Sequence, residues 1–227
     1  MVYYRMRFIA VCLFVLLPNV FAATTNYFEL DAARFKTLAA QELRIESVNH
    51  DLLAAAVLRE TNERRLQHRL GVLKHSPKTS AAARIQSDIM RARGAISHDN
   101  PENARYRTLQ LRVKSVGLEY RLIAENVATA FGLQYQSGSR FYPGRQNGRP
   151  AFSYRPGGPA IPRHTYATFA KALVDAWMNS KGHRENILRK QAEYLGVHCS
   201  PSTDKQTQMP LFYCTQVFFT PMRAGEA

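Results

Sequence analysis

The sequence contains few cysteines, one tryptophan and few acidic residues. Its 17 acidic residues stand against 31 lysines and arginines, so the formal net charge is +14. Beyond residue 17 no apolar run approaches the length of about 20 residues that crosses a bilayer, so we expect no transmembrane segment in the mature chain. The positive charge predicts anionic partners, such as an envelope polymer or a lipid. The chain has no nucleic-acid-reading motif, and we expect no nucleic-acid partner.

The first residues have the pattern of a secretory signal peptide. Two arginines precede an apolar run over residues 8–17 and a break at Pro18, and residues 20–22 offer a cleavage site with a small final residue. The run is shorter than a membrane span. We therefore expect a signal peptide over residues 1–22 and a secreted or periplasmic protein, with a retained anchor as the alternative.

The cysteines predict one disulfide bond. Cys12 leaves with the leader, and Cys199 and Cys214 then face an oxidising compartment. A bridge between them closes a loop of about 15 residues, which is worth about 3 kcal/mol in the chain-entropy model. A reactive thiol pair is the alternative, although the spacing is unlike Cys-x-x-Cys.

The order of helical and extended patterns predicts an α+β fold. The helical segments are residues 31–73 with a division near Asn49, Ser80 to Gly94 with Ser80 as the cap, and Thr165 to Gly182. Residues 195–199 and 211–220 form strands, and residues 106–120 are ambiguous between helix and strand. The expected organisation is an N-terminal helical extension over residues 23–48, one domain over 49–221 and a tail over 222–227.

Periodicity within the second helix predicts one face directed to a core. The apolar stripe comprises Leu52, Leu53, Ala56, Leu66, Leu70 and Leu73. Most charged residues, among them Arg65, fall on the opposite side.

Residues 133–164 form a basic insertion with five glycines and five prolines, which predicts no regular element. Its five arginines are interspersed with aromatic residues. Such a segment can bind phosphates, acidic sugars or lipid headgroups through charge-assisted contacts and ring stacking. The alternative is a solvated loop without a ligand.

Three separate segments carry the residue types of a metal or acid–base site. They contain His98, Glu125 and His183. Neutral imidazoles bind divalent cations such as zinc, and a carboxylate completes a ligand set or acts as a general base. Each residue also has a structural interpretation: His98 as a turn residue, Glu125 as an acceptor for backbone N–H groups, and His183 at the carbonyl end of a helix that Gly182 stops.

The motif residues of these segments are His98, then Glu125, Asn126, Val127 and Ala128, and then Trp177, Met178, Ser180, Gly182, His183, Arg184, Asn186, Ile187 and Leu188. In this order they resemble the CAP superfamily of cysteine-rich secretory, antigen 5 and pathogenesis-related 1 proteins. The resemblance implies an α-β-α sandwich with a small, mainly antiparallel sheet between helical layers. It also implies a cleft of two histidines and acidic groups, to which His98, Glu125 and His183 correspond.

The chain departs from the family pattern at two positions. Ala124 stands where the family usually has a glycine, and the alanine slightly restricts the expected turn before Glu125. Ser180 stands where many members have a second acidic residue. With Trp177 and Asn126, Ser180 is expected to be an accessory residue of the cleft.

The residues and the resemblance together favour a binding module for an extracellular ligand, such as a lipid, a sterol or an envelope component, with a divalent-cation cleft. The alternative is a metal-assisted, peptidase-like hydrolase with Glu125 as the catalytic base. A purely structural envelope protein is the third possibility.

Overall fold

The computed structural model describes residues 25–223 and 225. The predicted signal peptide, including Cys12, lies outside the described residues, as do residues 224, 226 and 227 of the predicted tail. Within the described part, no helix combines the length and the apolarity needed to cross a membrane.

Helices and strands alternate irregularly along the described chain. In order they are α1 (Ala32–Ala39), α2 (His50–Gln67), β1 (Lys74–His75), α3 (Pro77–Arg93), a 3-10 turn (Ala104–Tyr106), α4 (Leu109–Ser115), β2 (Tyr120–Phe131), β3 (Tyr142–Gln146), β4 (Arg149–Ser153), α5 (Tyr166–Asn179), α6 (Lys181–Ile187), β5 (Tyr194–Thr203) and β6 (Pro210–Pro221). The ambiguous segment 106–120 is therefore mainly helical.

Polar caps set the starts of the long helices. Asn49 accepts a hydrogen bond from the Leu52 backbone N–H at 3.0 Å, which confirms the division near this residue. The cap of α3 is Ser76, followed by Pro77 at the first helical position, so the prediction of Ser80 as the cap is wrong. Gly94 ends α3 in the left-handed conformation, with φ of 71°, as expected.

A four-stranded sheet lies at the centre of the fold, in the order β1-β5-β6-β2. β1 runs parallel to β5, and the other neighbours are antiparallel. Helices α1, α2, α5 and α6 pack on one face of the sheet, and α3 and α4 pack on the other. The predicted α-β-α sandwich is confirmed.

The predicted disulfide is also confirmed. Cys199 on β5 and Cys214 on β6 are direct cross-strand partners, and their Cα atoms lie 4.1 Å apart. Both side chains are buried in the core between the sheet and α2. The bond therefore fixes the register of the two central strands.

The second helix ends at Gln67, before Leu70 and Leu73, so the predicted helical range to residue 73 is too long. Within the helix, two residues differ from the predicted pattern of burial. Leu66 is 54% exposed, whereas Arg65 is only 2% exposed. A buried arginine satisfies its donors with backbone carbonyls that periodicity alone does not reveal.

The insertion contains a β-hairpin, so the prediction that residues 133–164 lack regular structure is wrong. β3 pairs with β4, and Asn147 and Gly148 form the turn with φ of 51° and 75°. Two successive left-handed residues match the twist of a hairpin, and Asn-Gly is strongly preferred there. Pro143 and Pro150 are tolerated because each strand of a two-stranded ribbon has an outward edge.

His50 at the start of α2 and His198 on β5 stack, with ring centroids 4.6 Å apart and planes inclined by 17°. Burial lowers the pKa of His198 from 6.5 to about 4, and repulsion from His50 adds to the effect. The pKa of His50 is also lowered, mainly by burial. The pair therefore packs in the neutral state.

We expect the free energy of unfolding to decrease as the pH falls from 6.5 to about 4, because only the unfolded chain binds a proton at His198 in that window. The loss is on the order of 2–3 kcal/mol. His198→Phe keeps a ring in the stack and should remove this loss in urea unfolding curves measured across the window. His68→Phe, at the exposed residue after α2, is the matched control. Identical pH dependence in the two variants would contradict the assignment.

Candidate functional site

The three segments singled out in the sequence meet at the outer edge of β2. This strand is the last in the sheet, and its successive side chains point to opposite faces. Glu125 points to the face covered by α4, where it meets Arg112 and His98. Asn126 points to the other face, where it meets α6. Both layers therefore contribute residues to this edge of the sheet, where the family resemblance implies a cleft. The sequence placed Ala124 in a turn, but it lies within β2.

His98 lies in the loop after α3, and side chains from the neighbouring helices hold this loop. Gln86 of α3 donates to the Ser97 carbonyl and accepts from Asn100 Nδ2 at 2.7 Å. Arg112 Nη2 donates to the His98 carbonyl at 3.1 Å. The loop backbone is thereby fixed while the His98 side chain stays 56% exposed.

Glu125 is bound on both carboxylate oxygens. Its Oε2 accepts from Arg112 Nη2 at 2.8 Å, and its Oε1 lies 2.9 Å from His98 Nδ1. The Glu125 and Arg112 side chains are 3% and 0% exposed. With a carboxylate at Oε1, His98 Nδ1–H is the donor, which leaves Nε2 without a partner in the described chain. The hydrogen bond to Glu125 raises the pKa of His98.

His183 lies on α6 and not after a helix stop. Gly182 is the second residue of α6, and α5 ends earlier, at Asn179, so the prediction that Gly182 ends the preceding helix is wrong. Burial lowers the pKa of His183, and the positive charge of His98 lowers it further. The His183 carbonyl accepts a hydrogen bond from Asn126 Nδ2, so the segment of His183 packs against the strand that carries Glu125.

The side-chain amides of buried Asn126 and half-buried Asn186 attach α6 to the edge strand. Asn126 Nδ2 donates to the His183 carbonyl at 3.1 Å, and Asn186 Nδ2 donates to Asn126 Oδ1 at 2.9 Å and to the Glu125 carbonyl at 3.2 Å. Asn126 is 0% exposed, so it holds the backbone of His183 from within the fold.

Trp177 is 1% exposed and lies in the core, where its Nε1 donates to the Val127 carbonyl at 3.4 Å. Together with Asn186 it covers carbonyls on the outer edge of β2, which prevents further strand pairing there. Ser180 joins α5 to α6, and its side chain makes no cap hydrogen bond. The accessory roles predicted for these residues stay predictions, although burial makes Trp177 a support of the cleft rather than a contact surface.

Arg65 is a positioning residue that the sequence did not identify. Its guanidinium donates to the carbonyls of Gly71 at 2.8 Å, Ile187 at 2.7 Å and Arg189 at 3.0 Å. The last two carbonyls belong to the end of α6, so Arg65 fixes the helix that carries His183. Its neighbour Arg64 in the sequence forms ordinary ion pairs with Glu60 and Asp175, and no sequence signal separates the two arginines.

Among the described residues, no group of three or more histidine, cysteine, aspartate and glutamate side chains is arranged to hold a metal ion. Each carboxylate oxygen of Glu125 already accepts one hydrogen bond, from His98 and from Arg112, so in this structure the carboxylate orients His98. Glu125 orients His98 in the way that carboxylates orient metal-binding histidines, which suits His98 as a cation ligand. The three-ligand set stays a prediction.

Comparison with known proteins identifies the family. The model of the cysteine-rich secretory protein family, abbreviated CAP, matches residues 58–218. This match covers more than half of the chain, and the protein belongs to that family. No curated protein sequence matches the chain.

Solved structures are similar to this chain, and the first of them shares its fold. An extracellular protein with an SCP domain from Bacillus anthracis str. Ames is 22% identical with a TM-score of 0.50, over 75% of this chain and 41% of that one. An outer surface protein from Borrelia burgdorferi is 16% identical with a TM-score of 0.47, over 73% of this chain and 90% of that one. A cysteine-rich secretory protein from Staphylococcus aureus is 15% identical with a TM-score of 0.45, over 75% and 39%. This chain thus spans less than half of the Bacillus protein.

Proposed function

We propose that the protein is a secreted or periplasmic binding module whose cleft takes a divalent cation between His98 and His183. The family, the leader pattern and the extracellular nature of the similar Bacillus protein support the location. The ligand of the module is an extracellular lipid, sterol or envelope component.

One observation carries the cation proposal: a buried Arg112–Glu125 pair holds His98 by Nδ1, and His98 Nε2 has no partner among the described residues. His183 lies nearby with a lowered pKa, which keeps its imidazole neutral and available as a ligand. In this arrangement His98 and His183 hold the ion, and Glu125 positions His98. A zinc ion bound there would supply Lewis acidity and an acidified water molecule.

Zinc titration of chelator-treated protein by calorimetry tests the cleft. We expect His98→Ala and His183→Ala each to weaken zinc affinity tenfold or more, because each removes one of two protein ligands. His68→Ala, which removes an exposed imidazole elsewhere, should leave the affinity unchanged. Equal affinities in the wild type and both cleft variants would exclude this site.

A hydrolase is the second candidate, favoured by the carboxylate-oriented imidazole of His98. Glu125 is too buried and too fully bonded to act as the base predicted from the sequence, so in this function His98 Nε2 would accept the proton. Peptide and ester hydrolysis, measured with and without zinc, distinguishes the two functions. Turnover that disappears in His98→Ala supports the hydrolase, and zinc binding without turnover supports the module. A purely structural protein predicts that both histidines can be replaced without losing any ligand.

A further inference from the structure

A second concave surface lies under the β3–β4 hairpin, away from the histidine cleft. It is an open groove of about 1410 Å³, bounded by the hairpin, the loop after α1, residues 160–163 and the turn between β5 and β6. We call it the insertion groove. None of His98, Glu125 and His183 lines it. We propose that the insertion groove binds a strand of an acidic polysaccharide.

The charge of the insertion favours an anionic occupant. Residues 133–164 contain five arginines and no aspartate or glutamate. Arg149 lines the insertion groove from β4, is exposed, and makes no ion pair in the described part of the chain. An unpaired guanidinium at the wall of a groove binds a carboxylate or sulfate through charge-assisted hydrogen bonds.

The remaining charges of the insertion groove partly cancel. Arg44 and Arg163 each lie 3.1 Å from Glu42, so one carboxylate neutralises one of these two arginines. Glu46 also lines the groove and opposes an anion. The residual charge of the groove is positive. Arg149 should favour the binding of an anion and Glu46 should oppose it, so substitutions of the two residues should have opposite effects on affinity.

The neutral lining fits sugar hydroxyls. Gln146, Asn147 and Gln206 line the insertion groove, and their side-chain amides make no hydrogen bond within the described residues. An amide both donates and accepts, as a sugar hydroxyl does. Leu133 and Ile161 form an apolar floor, on which the C–H face of a sugar ring can pack.

The shape favours a polymer over a lipid. The volume exceeds the range of about 300–1,000 Å³ that is usual for small-molecule pockets, so the groove has room for an extended ligand. The groove is open to solvent, so an acyl chain lying in it would keep much of its surface in water. Hydrophobic binding scales with the apolar area removed from water and would be weak.

Binding of the full chain to hyaluronan, as an acidic polysaccharide probe, tests the inference at low salt. We expect Arg149→Gln to weaken binding about tenfold, which corresponds to the loss of one charge-assisted hydrogen bond. Glu46→Gln should strengthen binding about twofold. Arg140→Gln makes the same charge change on the same insertion but outside the groove, and should change affinity less than twofold.

Neutral dextran and phosphatidylglycerol vesicles provide the comparison ligands. Hyaluronan binding that exceeds dextran binding and depends on Arg149 supports the inference. Equal effects of Arg140→Gln and Arg149→Gln, or retention by vesicles without retention by hyaluronan, would overturn it. The inference rests on the proposed function in one respect only, which is that an extracellular protein would meet such a polymer. Because Arg149→Gln should keep the zinc affinity of the cleft, failure in one assay is distinguishable from failure in the other.

Discussion

Arg112→Met should lower the free energy of unfolding by about 3–5 kcal/mol. The substitution leaves Glu125 buried with only His98 as a charged partner, and breaking a buried ion pair on one side costs that amount. It also removes hydrogen bonds to the carbonyls of His98 and Tyr106. Urea unfolding curves measure the loss.

In metal-free protein, the loss of stability caused by Arg112→Met should depend on pH. The charge of Arg112 lowers the pKa of His98, so its removal should raise that pKa further. A histidine whose pKa is raised in the folded state stabilises the fold fully at a pH below 6.5, its pKa in the unfolded chain. This stabilisation is lost as the pH rises through the pKa of the folded state. The cost of Arg112→Met should therefore be smaller at mildly acidic than at alkaline pH.

Arg91→Met is the matched control for Arg112→Met. Arg91 lies on α3 with its side chain 46% exposed and 3.8 Å from Asp88, and exposed pairs contribute about 0–1 kcal/mol. A loss below 1 kcal/mol for Arg112→Met, equal to that of the control, would show that the Arg112–Glu125 pair does not hold the cleft.

Local signals predicted much of the fold. The Asn49 division, the glycine after α3 and the Thr165 cap all act through hydrogen bonds or backbone angles within a few residues, and all are confirmed. The α+β class and the Cys199–Cys214 bridge are confirmed as well. These features depend on short segments and on the redox compartment, and both can be inferred from the sequence without knowledge of distant contacts.

Features that depend on distant contacts were missed. Gly182 disfavours a helix locally, yet α6 forms because Arg65, Asn126 and Asn186 attach it to α2 and β2. The hairpin in the insertion was missed for a different reason. Its Asn147–Gly148 turn is a local signal, but the surrounding prolines and glycines outweighed it in the prediction.

The residues of the candidate site were predicted from the sequence, but their arrangement was not. Family resemblance named His98, Glu125 and His183, and the structure brings their segments together at the edge of β2. Arg112 was not anticipated, because in the sequence it lies in the ambiguous segment 106–120. Its burial changes the chemistry of the site, since it occupies one oxygen of Glu125 and leaves His98 as the group that faces solvent.

The second large loss of stability is expected for Gly196→Ala, because α3 and β5 approach each other closely at this residue. A Cβ atom on Gly196 would lie 2.1 Å from the backbone carbon of Thr79 and 2.2 Å from the nitrogen of Ser80. Neither atom can move without shifting α3, whose far end leads into the loop of His98. Gly196→Ala should therefore cost about 3 kcal/mol or more, at the upper end of overpacking effects.

Gly182→Ala is the matched control for Gly196→Ala, with the opposite expected sign. Gly182 lies in the first turn of α6, and an added Cβ there has no neighbour within 4 Å. Alanine should stabilise the helix by about 0.5–1 kcal/mol, because glycine loses more conformational entropy on folding. Urea unfolding of both variants measures the contrast. Near wild-type stability for Gly196→Ala would show that α3 can move away from β5, and that the backbone contact does not set the position of the His98 loop.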